Sequence, residues 1–399
     1  MDYRELAGNS VSLLGYGCMR FPTNEAGEID EPRAEKLLLR AYEQGVNYFD
    51  AAWPYHSGKS EPFVGKVLSK LDRDSFYIAT KLPMFTIESL EQAKEIFNTQ
   101  LEHLQTDHVD YYLLHSLDEA KWQKVLDLGI LPFLEEQQRL GRIKKLGFSF
   151  HAPYGVFKRI IDYRNWDFCQ IQFNYMDTEH QAGLKGLEYA ESKGVGIVVM
   201  EPVKGGTLAA LPSYASDPLT AADPGKSMAS WALRYVAGFD NVKVILSGMS
   251  NEEQLEDNLS TFSPYVPFTD HEKVALDAAI TALKARPNNG CTGCKYCLPC
   301  ASGVEIPRVF RVWNDFQRYQ NDGEAAADYK SIPPFGRAQS CIRCGKCEDR
   351  CPQGIKIRND LKTIAAQPWA NVTTHNSCQN GHIHQNTPGK PELSKVLPR

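Results

Sequence analysis

No apolar run in this chain approaches the roughly 18 residues that a membrane span requires, so no segment is expected to cross a bilayer. There is no long basic block either. With 44 Lys and Arg against 49 Asp and Glu, a net charge of -5, the sequence offers no electrostatic track for nucleic acid. The first residues, Met1-Asp2-Tyr3-Arg4-Glu5, lack the basic stretch and apolar core of an export signal. The expected location is therefore cytoplasmic, where thiols stay reduced. No Gly-x-Gly-x-x-Gly follows any apolar run, since Gly15-Tyr16-Gly17 lacks the third glycine, and this weighs against an open doubly wound sheet. What remains is a chain of 399 residues, 42% hydrophobic and 23% charged, long enough for two domains with a sizeable core.

Cysteine is the residue in surplus. Eight of the eleven fall in two tight runs, Cys291-x2-Cys294-x2-Cys297-x2-Cys300 and Cys341-x2-Cys344-x2-Cys347-x3-Cys351-Pro352. The second run has the spacing of bacterial ferredoxins, in which three thiolates hold one cubane and the fourth reaches across to the other. Crossed ligation would group Cys291, Cys294, Cys297 and Cys351 around one [4Fe-4S] cluster, and Cys341, Cys344, Cys347 and Cys300 around a second. The first run departs from the pattern, with two residues before its last cysteine and Ala301 where proline would follow. Structural zinc and disulfides are the alternatives. Zinc takes four cysteines as two close pairs held well apart, whereas four closely spaced thiols in each run suit a multi-iron core better.

The first 285 residues repeat a strand-then-helix rhythm. Apolar runs at Leu13-Gly17, Tyr48-Asp50, Phe76-Thr80, Val109-His115, Ile143-Ser149, Phe168-Asn174, Gly196-Glu201 and Val242-Ser247 are eight candidate parallel strands. Helical periodicity lies between them, as at Arg33-Gln44, Leu90-Leu104, Leu131-Leu140, Leu184-Lys193 and Met228-Val236. A closed (β/α)8 TIM barrel is the natural solution, and its chemistry belongs at the C-terminal strand ends. Those ends carry Asp50, Lys81, His115, Ser149, Gln172, Asn174, Glu201 and Ser247. Singly, each has a structural explanation, such as a turn-forming Asp50, a snorkelling Lys81 or a hydrogen-bonded His115. Cys18 and Cys169 read as small core residues.

Together, Phe49-Asp50-Ala51-Ala52-Trp53-Pro54-Tyr55, Ile78-Ala79-Thr80-Lys81, Asp110-Tyr111-Tyr112-Leu113-Leu114-His115 and Leu146-Gly147-Phe148-Ser149 resemble the motifs of the aldo-keto reductase family, in order, over roughly residues 8 to 262. With the cysteine runs, the whole chain resembles the members of that family that carry a C-terminal two-cluster ferredoxin-like domain. The resemblance implies an oxidoreductase acting on a small-molecule carbonyl, an aldehyde or ketone, with Asp50, Tyr55, Lys81 and His115 as catalytic residues. Tyr55 would be the general acid, its pKa brought down from about 10 by a cationic Lys81 that Asp50 holds in place. His115 would position the carbonyl, with Trp53 as a pocket wall. The resemblance also implies NAD(P)H, contacted by Met19, Asp50, Ser149, Gln170, Val203, Gly205, Ser247, Gly248 and Asn258.

Two features set the chain apart from that pattern. Phe150 follows Ser149 where many members have asparagine, and Met200 stands where many have an aromatic that stacks on nicotinamide. The stretch Ser247-Gly248-Met249-Ser250-Asn251-Glu252-Glu253-Gln254 has no Arg or Lys for the 2′-phosphate of an NADP cofactor, so NADPH preference is expected to be weak or reversed.

Residues 286–370 are expected to form a small, mainly α-helical iron-sulfur domain around a helix at Val309-Tyr319, and 371–399 a flexible polar tail. In the tail, His375, Cys378, His382 and His384 form a weak metal-binding candidate. From Cys291 to Lys362, twelve Lys and Arg face eight Asp and Glu, a surplus that can offset two oxidised clusters of about -4 in total or attract an acidic partner. Hydride moves two electrons at once and clusters move one, with no flavin fingerprint between them. Three functions stay open: a nicotinamide-dependent carbonyl reductase, a reductase fed by an external ferredoxin or flavoprotein, and an electron-transfer or redox-sensing protein whose barrel is a docking scaffold.

Overall fold

Residues 1–371 are described by the computed structural model; the remainder of the tail, with His375, Cys378, His382 and His384, lies outside the described residues. Two short strands open the chain, β1 (Tyr3–Leu6) and β2 (Asn9–Ser12), paired antiparallel. The eight expected strands follow as β3 (Leu14–Gly17), β4 (Tyr48–Asp50), β5 (Tyr77–Leu82), β6 (Val109–Leu117), β7 (Ile143–Phe150), β8 (Phe168–Gln172), β9 (Gly196–Met200) and β10 (Val242–Ser247). Each pairs in parallel with the next, and β10 returns to β3 through Ile245 opposite Leu14, closing the barrel.

Both faces of these strands are apolar because both are covered. Ile197, Val199 and Ile245 point to the packed helices, while Tyr48, Ala79, Tyr111, Leu113, Phe168, Val198 and Val244 fill the interior with Leu6 and Val11 of the hairpin. The hairpin thereby seals the end where the strands begin. Arg4 fixes it there through the carbonyls of Ala237, Phe239 and Val242, and Tyr111 Oη donates to Leu6 O at 3.0 Å.

The helices follow amphipathic spacing. Glu31–Glu43 buries Ala34, Leu37, Leu38 and Ala41, and starts where Asp30 accepts from the Arg33 N–H. Ser60–Leu68 contains Gly65, where a Cβ would come within 2.1 Å of His103 O, so glycine is what lets two helices touch there.

The chain divides into two compact units, one spanning Met1–Ile280 and the other beginning at Thr281. In the second, the helices Ile306–Tyr319, Asp322–Lys330 and Ile357–Ala365 enclose Val309, Phe310, Tyr329, Ile332, Leu361 and Ile364. Trp369 lies among the rings of Trp313, Phe316 and Tyr329. No strand occurs there among the described residues. Among the same residues, no helix is long and apolar enough to cross a membrane.

Candidate active site

At the C-terminal mouth of the barrel the strand ends converge. Asp50 closes β4, Lys81 sits one residue before the end of β5, and His115 lies in β6. Lys81 and Asp50 are both buried. Lys81 Nζ donates to Asp50 Oδ1 at 2.6 Å, to Ala51 O at 2.8 Å and to Tyr55 Oη at 3.4 Å, so all three ammonium protons have acceptors. Asp50 Oδ2 accepts from Gln170 Nε2 at 3.2 Å. Burial is the largest single effect and disfavours the Lys81 ammonium, but Asp50 and Tyr55 together outweigh it and hold this lysine above its ordinary pKa.

Tyr55 departs from expectation in one respect. Lys81 does pull the phenol downward, yet burial is the larger effect and the net direction is up. The phenol therefore keeps its proton at neutral pH. The His115 ring meets the Tyr55 ring edge-on at 6.3 Å, and burial first, then Lys81, drives its pKa well below the ordinary histidine value. It is a neutral imidazole. Its Nδ1 is buried without a hydrogen-bond partner.

Backbone irregularity gathers at this mouth. The β6–β7 register slips between Leu114 and Leu117, and Ser116 within that slip has φ 55°, which turns His115 toward the opening. Tyr55 starts a turn through His56 (φ 50°) and Ser57 (φ 54°), and His56 Nε2 anchors it by accepting the Phe21 N–H at 3.1 Å. Left-handed non-glycine residues are strained and concentrate where a side chain must be aimed.

Three groups at the site escaped the sequence reading. Phe85 is 43% exposed and stands edge-on to His115 at 5.6 Å, a second aromatic wall besides Trp53, which stacks on His103 at 5.7 Å. Beneath Lys81, buried Glu61 accepts from Thr80 Oγ1 at 2.5 Å and Gln100 Nε2 at 2.7 Å, and Gln100 also reaches Lys81 O at 3.1 Å. Arg20 is the third, and its Nη1 donates to Gly205 O at 3.2 Å. Only Trp53 sits inside a recognisable motif; Phe85, Glu61 and Arg20 become neighbours of the site through folding.

The candidate nicotinamide contacts form part of the same rim. Ser149 Oγ accepts the Ser116 N–H at 2.6 Å, which leaves its hydroxyl proton free to donate. Asn258 Nδ2 donates to Ser247 Oγ at 2.8 Å. Val203 leads into Gly205 (φ 69°) and Gly206 (φ 112°), and a Cβ on Gly206 would meet nothing within 4 Å. Met19 is 38% exposed. Open glycine loops and unspent hydroxyl donors fit a dinucleotide. Phe150 is buried against Phe148 and Phe157, away from any such role. Glu252, within the stretch that has no Arg or Lys of its own, is bridged by Arg33 at 2.9 Å.

In the second unit the thiols line two hollows. Cys300, Cys341, Cys344 and Cys347 surround a cavity of about 190 Å³, which Cys297 also borders; Cys291, Cys294, Cys297 and Cys351 line a smaller one. The linings group the thiols as crossed ligation would, except that Cys297 borders both hollows. At Cys300, burial opposes the thiolate, but the Ser302 hydroxyl and the backbone N–H groups of Ser302, Val304 and Gly303 outweigh it and lower the pKa. Cys18 and Cys169 are fully buried, and burial pushes both thiols up.

Comparison with known proteins gives two sequence-family matches. The aldo/keto reductase family matches residues 13–281, and a 4Fe-4S dicluster domain matches residues 290–355. L-galactose dehydrogenase of Arabidopsis thaliana is 26% identical over 292 residues, 68% of this chain and 88% of its own length. An uncharacterized oxidoreductase of Bacillus subtilis is 28% identical over 279 residues, 62% of this chain and 86% of its own. Among solved structures, the holo form of an aldo-keto reductase from Bacillus halodurans matches with a TM-score of 0.58 at 28% identity, over 70% of this chain and 96% of that one.

Proposed function

The chain belongs to the aldo/keto reductase family and carries a 4Fe-4S dicluster domain, and on that premise we propose that it reduces an aldehyde or ketone with Asp50, Tyr55, Lys81 and His115 as its catalytic set. The observation that carries this reading is the buried Asp50–Lys81 pair with the Tyr55 hydroxyl 3.4 Å from the ammonium. Bound NADH or NADPH would supply the hydride to the carbonyl carbon. Tyr55 gives its phenolic proton to the carbonyl oxygen as negative charge grows there. Lys81 stabilises the phenolate left behind, and Asp50 holds Lys81 charged and aimed. Neutral His115 offers one N–H to the same oxygen and adds no positive charge to compete with Lys81. Ser149 and Gln170 would hold the carboxamide of the cofactor, and the Gly205 and Gly248 loops its phosphates.

For the second unit we propose two [4Fe-4S] clusters held by the crossed thiol groups. A 190 Å³ hollow ringed by four thiols is larger than a single metal ion requires and suits a cubane. The clusters would pass single electrons to or from a ferredoxin or flavoprotein partner. Cys344 is exposed, which supports the electron-transfer reading as the second one.

Replacing Tyr55 by Phe separates the two. Turnover of a carbonyl substrate should fall by a factor on the order of 100 with the fold intact, since the proton donor goes and the shape stays. If Tyr55→Phe turns over every accepted substrate as fast as the wild type, the barrel is a scaffold and the electron-transfer reading stands alone.

A further inference from the structure

We propose that the two cluster sites of the second unit differ in electron affinity, and that the Cys300, Cys341, Cys344 and Cys347 site is reduced first, with Ser302 as a residue that sets the difference. The inference rests on the two-cluster reading above. A [4Fe-4S] cluster that takes up one electron gains one negative charge. Hydrogen bonds to its sulfurs and cations beside it therefore favour the reduced form and raise the reduction potential.

The difference begins at the fourth cysteine of each run. Ser302 Oγ lies 3.5 Å from Cys300 Sγ, and since an iron-bound thiolate can only accept, the hydroxyl donates. The backbone N–H groups of Ser302 and Val304 donate to the same sulfur, with Gly303 between them at φ 81°, a nest of amides suited to an anion. In the same group, the Arg343 N–H donates to Cys341 Sγ at 3.4 Å from a residue with φ 56°. At Cys351 the equivalent positions are Pro352, which has no N–H, and Gln353, which has no hydroxyl. The Cys291 N–H is spent on Asn289 Oδ1 at 3.2 Å.

Charge acts in the same direction. Arg343, Lys346, Arg350 and Arg358 line the larger hollow, whereas among the described residues Lys295 is the one cation lining the smaller. Glu348 offsets Arg358 at 2.7 Å. Setting Asp349 of the same short helix against the remaining three still leaves two positive charges against one. Arg343, Lys346 and Arg350 are exposed, so solvent screens them and the hydrogen bonds to sulfur are the stronger lever. Each group has one exposed thiol, Cys344 and Cys294, so solvent access does not oppose the difference.

The test is an oxygen-free potentiometric titration of the full chain, followed by the paramagnetism of the reduced clusters, with mediator dyes supplying one electron per cluster. Wild type should show two waves. Cys344→Ala should lose the wave at higher potential, and Cys294→Ala the wave at lower potential. Ser302→Ala should make reduction of the first cluster about tenfold less favourable, about 59 mV, without moving the second. Ser302→Thr, which keeps the hydroxyl, should restore it. If a cysteine variant fails to assemble its remaining cluster, the two Ser302 variants decide alone. Coincident waves in wild type, survival of the higher wave in Cys344→Ala, or an unmoved first wave in Ser302→Ala each overturn the proposal while leaving both clusters standing. Protein without acid-labile sulfide overturns the two-cluster reading, and this proposal with it.

Discussion

The two units solve the problem of holding reactive polar groups in opposite ways. In the barrel, the Lys81 and Asp50 side chains are 1% and 3% exposed and their hydrogen bonds all run to the protein itself. That site is complete before any ligand arrives. In the second unit, Cys294 and Cys344 are exposed and the other six run-cysteines half-buried, ranged around hollows that the protein does not fill. A preorganised site makes folding support chemistry, whereas a ring of thiols around a void makes the cofactor support folding.

The largest effect expected from this contrast is on iron removal. Chelation under reducing conditions should unfold the second unit and leave the barrel's thermal transition in place. Protein prepared without oxygen should hold about eight iron and eight sulfide per chain, and Cys344→Ala about half as much. Zinc without acid-labile sulfide, or a barrel that melts together with the clusters, would erase the contrast.

Lys81→Met attacks the other side. It strands a buried carboxylate, at a cost of about 3–5 kcal/mol, and should lower the barrel's melting temperature as well as turnover. The double variant with Asp50→Asn should regain much of the stability and none of the activity. Were Lys81→Met as stable as wild type, the pair would not be the preorganised element described above.

The smallest effect is one of pH. His115 has a folded pKa well below its ordinary value, so between that and about 6.5 the unfolded chain binds the extra proton. The barrel should therefore lose stability as pH falls below about 6.5 and be insensitive to this group above it. Burial shifts His56 and His151 the same way, so His115→Asn should remove only a share of the slope between pH 5 and 7. An unchanged slope would mean that His115 is not held neutral.

How much of this could be read from the sequence depended on distance along the chain. All eight barrel strands were legible because each is a short apolar run covered on both faces. The hairpin was not, since β1 and β2 are four residues each and their burial shows only in Leu6 and Val11 against the barrel interior. The helix Ser60–Leu68 was obscured by Pro62 and Gly65, residues that argue against a helix locally; Pro62 falls in the first turn, where its missing N–H costs nothing, and Gly65 is explained by the approach of His103. Asp50, Lys81 and His115 could be placed at one mouth because strand ends must converge in a closed barrel, whereas Tyr55, which lies in the turn after β4, and the grouping of the four came from the resemblance of their motifs to the family. The lowering of the Tyr55 pKa was expected and failed, because a sequence shows the neighbouring charge but not the burial that outweighs it. Arg20, Arg33 and Glu61 were invisible for a related reason, since each meets its partner only after a long loop has closed.

The hairpin has a practical side. Because β1 and β2 stopper the end of the barrel where the strands begin, the first residue emerges on the face opposite the candidate catalytic groups. An affinity tag, a fluorophore or a surface linker attached at Met1 would therefore sit at the end of the barrel away from the candidate catalytic groups, and should leave turnover unchanged.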